Sequence, residues 1–143
     1  MHGESRRELV IGSRLSEMAR VESWLAAVMR EWEVPDEAVY SVDLIVNEVV
    51  SNIISYAYPD EAAHTIVIVL ARSDSSIVVE VADDGMPFNP LTAPQARVAE
   101  DLEHASVGGW GIPLIKAFSA EQHYAYASGM NRLRLVIARD RPS

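Results

Sequence analysis

The feature that most constrains this chain is one long stretch, Val39 to Tyr58. Apolar residues recur there at Val39, Val42, Val46, Val49 and Ile53, joined by Ile45 and Ile54. This is the three-and-four spacing of a helix with one buried face, and such a face must be met by another layer. Asp36, just after Pro35, is placed to cap the start, and Glu37 adds negative charge to the first turn. Pro59 cannot continue the helix, so it should end near Ala57 or Tyr58. Glu48 and Asn52 stand four apart and therefore one above the other, with Asn47, Ser51 and Ser55 continuing the polar strip. Solvation alone explains most such residues on a polar helix face. A carboxylate beside a carboxamide nevertheless suits a proton acceptor held next to an oxygen ligand for Mg²⁺.

The other elements follow from pattern. Leu9-Val10-Ile11 reads as a short first strand. Leu15, Met18, Val21, Leu25, Val28, Met29 and Trp32 predict an amphipathic helix from Ser13 to about Trp32, its Met and Trp stripe being core packing. The β-branched runs His64–Arg72 and Ser76–Ala82, split by Ser73-Asp74-Ser75, predict an antiparallel hairpin. Leu91 to Val107 is a polar connection whose length suggests a functional lid. A short helix is expected from Ile112 to Phe118, with Pro113 in its first turn. Strands Glu121–Ala127 and Leu133–Arg139 follow, joined by a turn at Ser128-Gly129-Met130-Asn131. This order predicts an α/β (α+β) fold, a two-layer sandwich whose mixed, mostly antiparallel sheet is covered on one face by helices.

With 143 residues the expectation is a single domain, 1–143, burying roughly two-thirds of its unfolded surface. The absence of cysteine excludes a disulfide scaffold, a thiolate metal site and a Cys nucleophile, and fits a reducing compartment. No apolar run reaches transmembrane length and no secretory core follows the first residues, so a soluble, cytoplasmic protein without membrane contact is expected. A net charge of -9 argues against direct nucleic-acid binding. An anionic nucleotide would then have to be held by Mg²⁺ and backbone N–H groups.

Two glycine-bearing loops supply such a site. Asp83 leaves the end of a strand into Asp83-Asp84-Gly85-Met86-Pro87-Phe88-Asn89-Pro90, where its carboxylate can accept from an exocyclic amino group such as that of adenine. Gly85 leaves room for a flat ring and can adopt positive φ. Gly108-Gly109-Trp110-Gly111 opens a helix and presents free N–H groups to phosphate. Each loop alone is an ordinary turn or hinge.

Taken together and in this order, Glu48-x-x-x-Asn52, Asp83-x-Gly85 and Gly108-Gly-x-Gly111 resemble the three nucleotide-binding boxes of the GHKL (Bergerat-fold) ATPase superfamily, which includes gyrase, histidine kinases and MutL. Over essentially the whole chain the pattern is most similar to the small anti-sigma-factor serine/threonine kinases of the RsbW and SpoIIAB type. The resemblance implies that Glu48 is the general base and that Asn52 ligates Mg²⁺ on the phosphates of ATP. It implies that Asp83 reads the adenine amino group, that Gly85 lines the base, and that Gly108, Gly109 and Gly111 close over the phosphates in a lid at about 86–110. Three positions depart from the pattern: Pro87 where many members have glycine, Trp110 where Leu is usual, and Asn131 near the adenine where many carry Thr. The implied partners are a sigma factor and an anti-anti-sigma (STAS) antagonist, with a homodimer compatible. Two alternatives stay open: a module that binds ATP and sequesters a regulator without phosphotransfer, and a switch kinase without a sigma partner. None of His2, His64, His104 and His123 is followed by an acidic residue as in a phospho-accepting histidine box.

Overall fold

The computed structural model describes residues 5–56, 64–87, 89, 115 and 117–139. Strand β1 (Arg6–Gly12) leads through a single 3-10 turn (Leu15–Glu17) into helix α1 (Met18–Glu31). The expected helix from Ser13 thus starts later, because Glu17 turns back to accept the Gly12 N–H at 3.0 Å and the Arg20 guanidinium at 3.1 Å. α1 buries Val21, Leu25, Val28 and Met29, one stripe of its surface. Its end is closed by two reversed hydrogen bonds, Glu33 N–H to Arg30 O and Val34 N–H to Met29 O, with Glu33 at φ 55°. This left-handed stop is normally given to glycine.

Helix α2 (Asp36–Tyr56) follows at once. Pro35 C=O accepts the first helical bond from Val39 N–H, so Asp36 is the first helical residue rather than the cap. Its charge still meets the positive end of the dipole. Ala38, Val42, Ile45, Val46, Val49, Val50 and Ile53 are each buried to 3% exposure or less. Against the expectation that no run reaches transmembrane length, the stretch Asp36–Ser55 is long and apolar enough to cross a membrane, at mean hydropathy 1.2, but 50% of it is buried inside the protein. That is the position of a core helix. Ala57 and Tyr58, where the helix was expected to end, lie outside the described residues.

Strands β2 (Thr65–Arg72), β3 (Ser76–Asp83), β4 (Glu121–Ala127) and β5 (Met130–Ala138) complete a five-stranded sheet of order β1-β2-β3-β5-β4, antiparallel at every pair. Burial alternates along the strands: Ile66, Ile68 and Leu70, then Ile77, Val79 and Val81, then Leu133, Leu135 and Ile137 all face the helices. Apolar side chains on both layers therefore form one continuous core, each worth roughly 1.5–3 kcal/mol when fully buried. The expected two-layer α/β sandwich is what the structure shows.

The turn between β4 and β5 is tighter than the four residues expected. Ser128 (φ 56°) and Gly129 (φ 75°) alone form it, and Met130 and Asn131 are already strand. Two positive φ values in a two-residue loop match the right-handed twist of the flanking strands. The expected helix from Ile112 is described only at Ile115, Ala117 and Phe118, which are helical. Ile115 is fully buried and the Phe118 ring meets Tyr40 edge-on at 5.8 Å.

Candidate functional site

The sheet order makes β3 and β5 central neighbours, and their register sets Asp83 directly opposite Asn131. Both side chains lie on the helix-facing side, at 1% and 3% exposure. Asp83 Oδ1 accepts from Gly85 N–H at 2.8 Å, the hydrogen bond of a side-chain-closed turn. Oδ1 also accepts from Asn131 Nδ2 at 3.1 Å. The expectation of positive φ at Gly85 is not met: Gly129 is the glycine with that conformation among the described residues. Gly85 is instead buried, with its N–H committed to Asp83.

Burial pushes the Asp83 carboxyl above the usual carboxylate range. The bonds from Gly85 and Asn131 oppose that shift, the Asp84 charge adds to it, and His64 opposes it. Asp84 in turn meets His64 Nδ1 at 3.1 Å. His64 is held to the exit of β1 by two backbone contacts: its N–H donates to Ser13 Oγ and its C=O accepts from Ser13 N–H. The loop after β3 is thus braced from the entry to the neighbouring strand β2.

α2 packs over β3 and β5. Ser41, in its first half, lines a groove with Ile137 and Ala138 at the end of β5. The later turns carrying Glu48 and Asn52 therefore lie toward the opposite end of the strands, where β3 ends at Asp83 and β5 begins. Asn52 is buried to 2% exposure, and its Nδ2 has no hydrogen-bond partner among the described residues. Leaving such a group unsatisfied costs about 1–3 kcal/mol unless something beyond the described residues completes it. Glu48, one turn earlier and half-buried, has its carboxyl raised above the usual range by burial. The neighbouring polar residues are spent locally: Asn47 Nδ2 donates to Asp43 O at 2.7 Å and Ser51 Oγ to Glu48 O at 3.3 Å.

Among the described residues no group of three or more His, Cys, Asp or Glu could hold a metal. Mg²⁺ fits this composition, because it keeps several waters and needs only one or two protein oxygens beside substrate phosphates. The Asn52 carboxamide is such a donor. Gly108, Gly109, Gly111, Trp110 and the lid segment Leu91–Val107 lie outside the described residues. His2 and His104 do too, while His123 sits on the exposed edge against Glu121.

One participant escaped sequence reasoning. The Tyr124 hydroxyl donates to Asn131 Oδ1. Inward alternation along β4 could have singled it out, since Gln122, Tyr124 and Tyr126 share the face of Leu133 and Asn131 in the ladder.

The sequence is 27% identical over 97 residues, 68% of each chain, to the serine/threonine-protein kinase BtrW of Bordetella bronchiseptica. A family model described as the histidine kinase-like ATPase domain matches residues 11–137, from the end of β1 to the end of β5. The chain belongs to this family of GHKL-type, kinase-like, ATP-binding domains.

Proposed function

We propose that the protein is an Mg²⁺- and ATP-dependent serine/threonine protein kinase that acts as an anti-sigma factor, phosphorylating a small STAS-type antagonist. The observation that carries the kinase step is Glu48: a half-buried carboxylate with a raised pKa, one helical turn before a buried amide whose nitrogen is unpartnered among the described residues. A module that only holds ATP has no chemical need of a carboxylate there. The kinase similar to this chain supports the same reaction class. The anti-sigma role and the STAS substrate rest on the resemblance of the three boxes.

In this reading Asp83 accepts the adenine amino group, Gly85 lines the base, and Asn131 holds Asp83 in place. The Asn52 oxygen ligates Mg²⁺, which neutralises charge on the phosphates when bound. Glu48 accepts the proton of the incoming hydroxyl as its oxygen bonds to the terminal phosphorus and the bond to ADP breaks. Gly108, Gly109 and Gly111 cover the phosphates. A cytoplasmic location and a homodimer belong to the same proposal.

Glu48→Gln keeps the shape and deletes the basicity. It is expected to bind Mg·ATP nearly as wild type does and to lose on the order of a hundredfold to ten-thousandfold in transfer rate. Transfer at the wild-type rate would reject Glu48 as base. A wild type that binds ATP but phosphorylates no STAS-type protein would leave the sequestering module as the function.

A further inference from the structure

Three guanidinium groups converge on one tryptophan at the end of the sandwich away from Asp83. Arg7, Arg72 and Arg139 continue the inward alternation of Ile11 on β1, Leu70 on β2 and Ile137 on β5. The guanidinium carbon of Arg7 lies 5.7 Å from the centre of the Trp32 ring, and that of Arg72 lies 5.1 Å from it. Arg139 Nη2 donates to Trp32 O at 3.4 Å. Trp32 is itself 2% exposed, whereas all three arginines are only partly buried. Solvent therefore meets the guanidinium groups and not the indole.

The acidic residues nearby do not balance this charge. Glu31 pairs with Arg7. Glu33 and Asp74, which neighbour Trp32 and Arg72 in sequence, form no ion pair with any described residue. The Arg72 guanidinium makes no hydrogen bond or ion pair among the described residues, and Arg139 Nε is a buried donor without an acceptor among them. Three positive charges, against one carboxylate and the half charge at the α1 C-terminus, leave an excess of about one and a half. Contact with an aromatic ring returns only about 0.5–2 kcal/mol to each cation.

The excess charge and the unfilled donors define what would fit. A phosphate group bears about −1.5 to −2 charges at neutral pH. Its oxygens meet guanidinium forks in pairs, and more than one fork can share it. A carboxylate supplies one charge only. We propose that Arg72 and Arg139, beside Trp32, form a second oxyanion site that takes a phosphate group, either as the free ion or on a phosphorylated protein segment. The site is remote from Asp83. Arg72 pairs with Ile77 at one end of β2 and Ile66 with Asp83 at the other, roughly 20 Å away along the strand. A nucleotide at Asp83 is therefore neither needed here nor in the way.

NMR titration with inorganic phosphate, at ionic strength held constant with chloride, tests this without any activity assay. The Arg139 Nε–H and Trp32 indole N–H resonances are expected to shift together and to saturate, whether or not Mg·ADP is present. Arg72→Gln removes the charge and the fork, and phosphate affinity should fall by about tenfold. Arg132→Gln, on the exposed face of β5, should leave it unchanged. Arg72→Lys keeps the charge without the fork and should cost roughly a few-fold. No shift of either resonance in wild type up to roughly 10 mM phosphate overturns the proposal. Equal affinity in wild type and folded Arg72→Gln, the mark of a merely structural arginine, does so too. If that variant does not fold, equal affinity in Arg72→Lys overturns it instead. A phosphoserine peptide and its unphosphorylated form separate the two sources. Binding of the phosphopeptide by about tenfold or more over phosphate upholds a phosphorylated partner. Binding no tighter than phosphate upholds the free ion. Equal binding of the two peptides at this site overturns the phosphate chemistry.

Discussion

Asp83→Asn separates the adenine contact proposed for this carboxylate from its part in stability, because the expected effects on folding and on binding have opposite signs. The substitution preserves shape, and the amide oxygen can still accept from Gly85 and Asn131. The change falls on the other atom, where an open acceptor becomes an NH₂ donor. Facing the adenine amino group, it removes a bond worth about 1.5–3 kcal/mol when one partner is charged. That is roughly tenfold to a hundredfold or more in affinity at 1.4 kcal/mol per decade. Stability moves the other way. Burial raises the Asp83 pKa above its unfolded value, so its contribution to stability is complete below the unfolded carboxylate range and is lost as pH rises through the folded value. At neutral pH the ionised, 1%-exposed side chain costs about 1.4 kcal/mol for each unit by which its pKa is raised. Asn is free of that cost. The variant should therefore unfold at higher temperature than wild type at neutral pH, and the gap should close as pH falls below the raised pKa. Calorimetric titration with Mg·ADP and thermal unfolding across acid to neutral pH read both. Unchanged ADP affinity, or a variant that is less stable at neutral pH and equal in acid, would refute the reasoning.

Glu33→Gly should raise stability, since the left-handed stop at φ 55° costs an L-residue about 1–2 kcal/mol while glycine loses some of that gain through its freer unfolded chain. A higher urea midpoint with an unchanged slope would show it. Ile45→Ala removes a fully buried side chain between α2 and the sheet and should cost about 2–5 kcal/mol in chemical unfolding. With Glu48 as the proposed base, the acid limb of the transfer rate should lie above the ordinary carboxylate range, because burial raises its carboxyl. A pH–rate profile of wild type should show this limb, and that of Glu48→Gln should lack it.

What the sequence made legible was local. The apolar rhythm of α2 spans many turns, so its period is unambiguous, and the hairpin of β2 and β3 announces itself through two β-branched runs around a short polar turn. The fold class followed from those two elements. Less legible were features set by distant partners or by single dihedral angles. Asn131 reaches across 48 positions of sequence to Asp83, and only the placement of β5 beside β3 brings them together. Tyr124 looks like any edge-strand tyrosine until the ladder turns it inward. Glu33 gives no hint that it ends a helix in a conformation glycine prefers. Asp36 and the Ser128-Gly129 turn missed by a residue or two for the usual reason that caps and loops are fixed by backbone geometry rather than by composition.

The physical logic of the site is visible in a single ladder. Reading the buried face of β3 against β5, the cross-strand pairs are Ile77–Ile137, Val79–Leu135, Val81–Leu133 and then Asp83–Asn131. Three apolar rows are followed by one polar row at nearly the same burial. Another aliphatic pair in that fourth row would extend the core and avoid desolvating a carboxylate. The polar pair is tolerable because the rows beneath it, and the α2 stripe that covers them, already fix the spacing of the two strands. It also stays within hydrogen-bond reach without help from a ligand, so the carboxylate is held in place by the chain's own Asn131. Asn52 follows the same rule on α2, a buried amide beside Val49, Val50 and Ile53 in the helix, whose nitrogen is left without a partner among the described residues. Both groups forfeit stability as long as they meet only the described residues, and both recover it by meeting something that those residues do not supply. Ligand binding at this end of the sandwich should therefore raise the melting temperature by more than contact area alone would give.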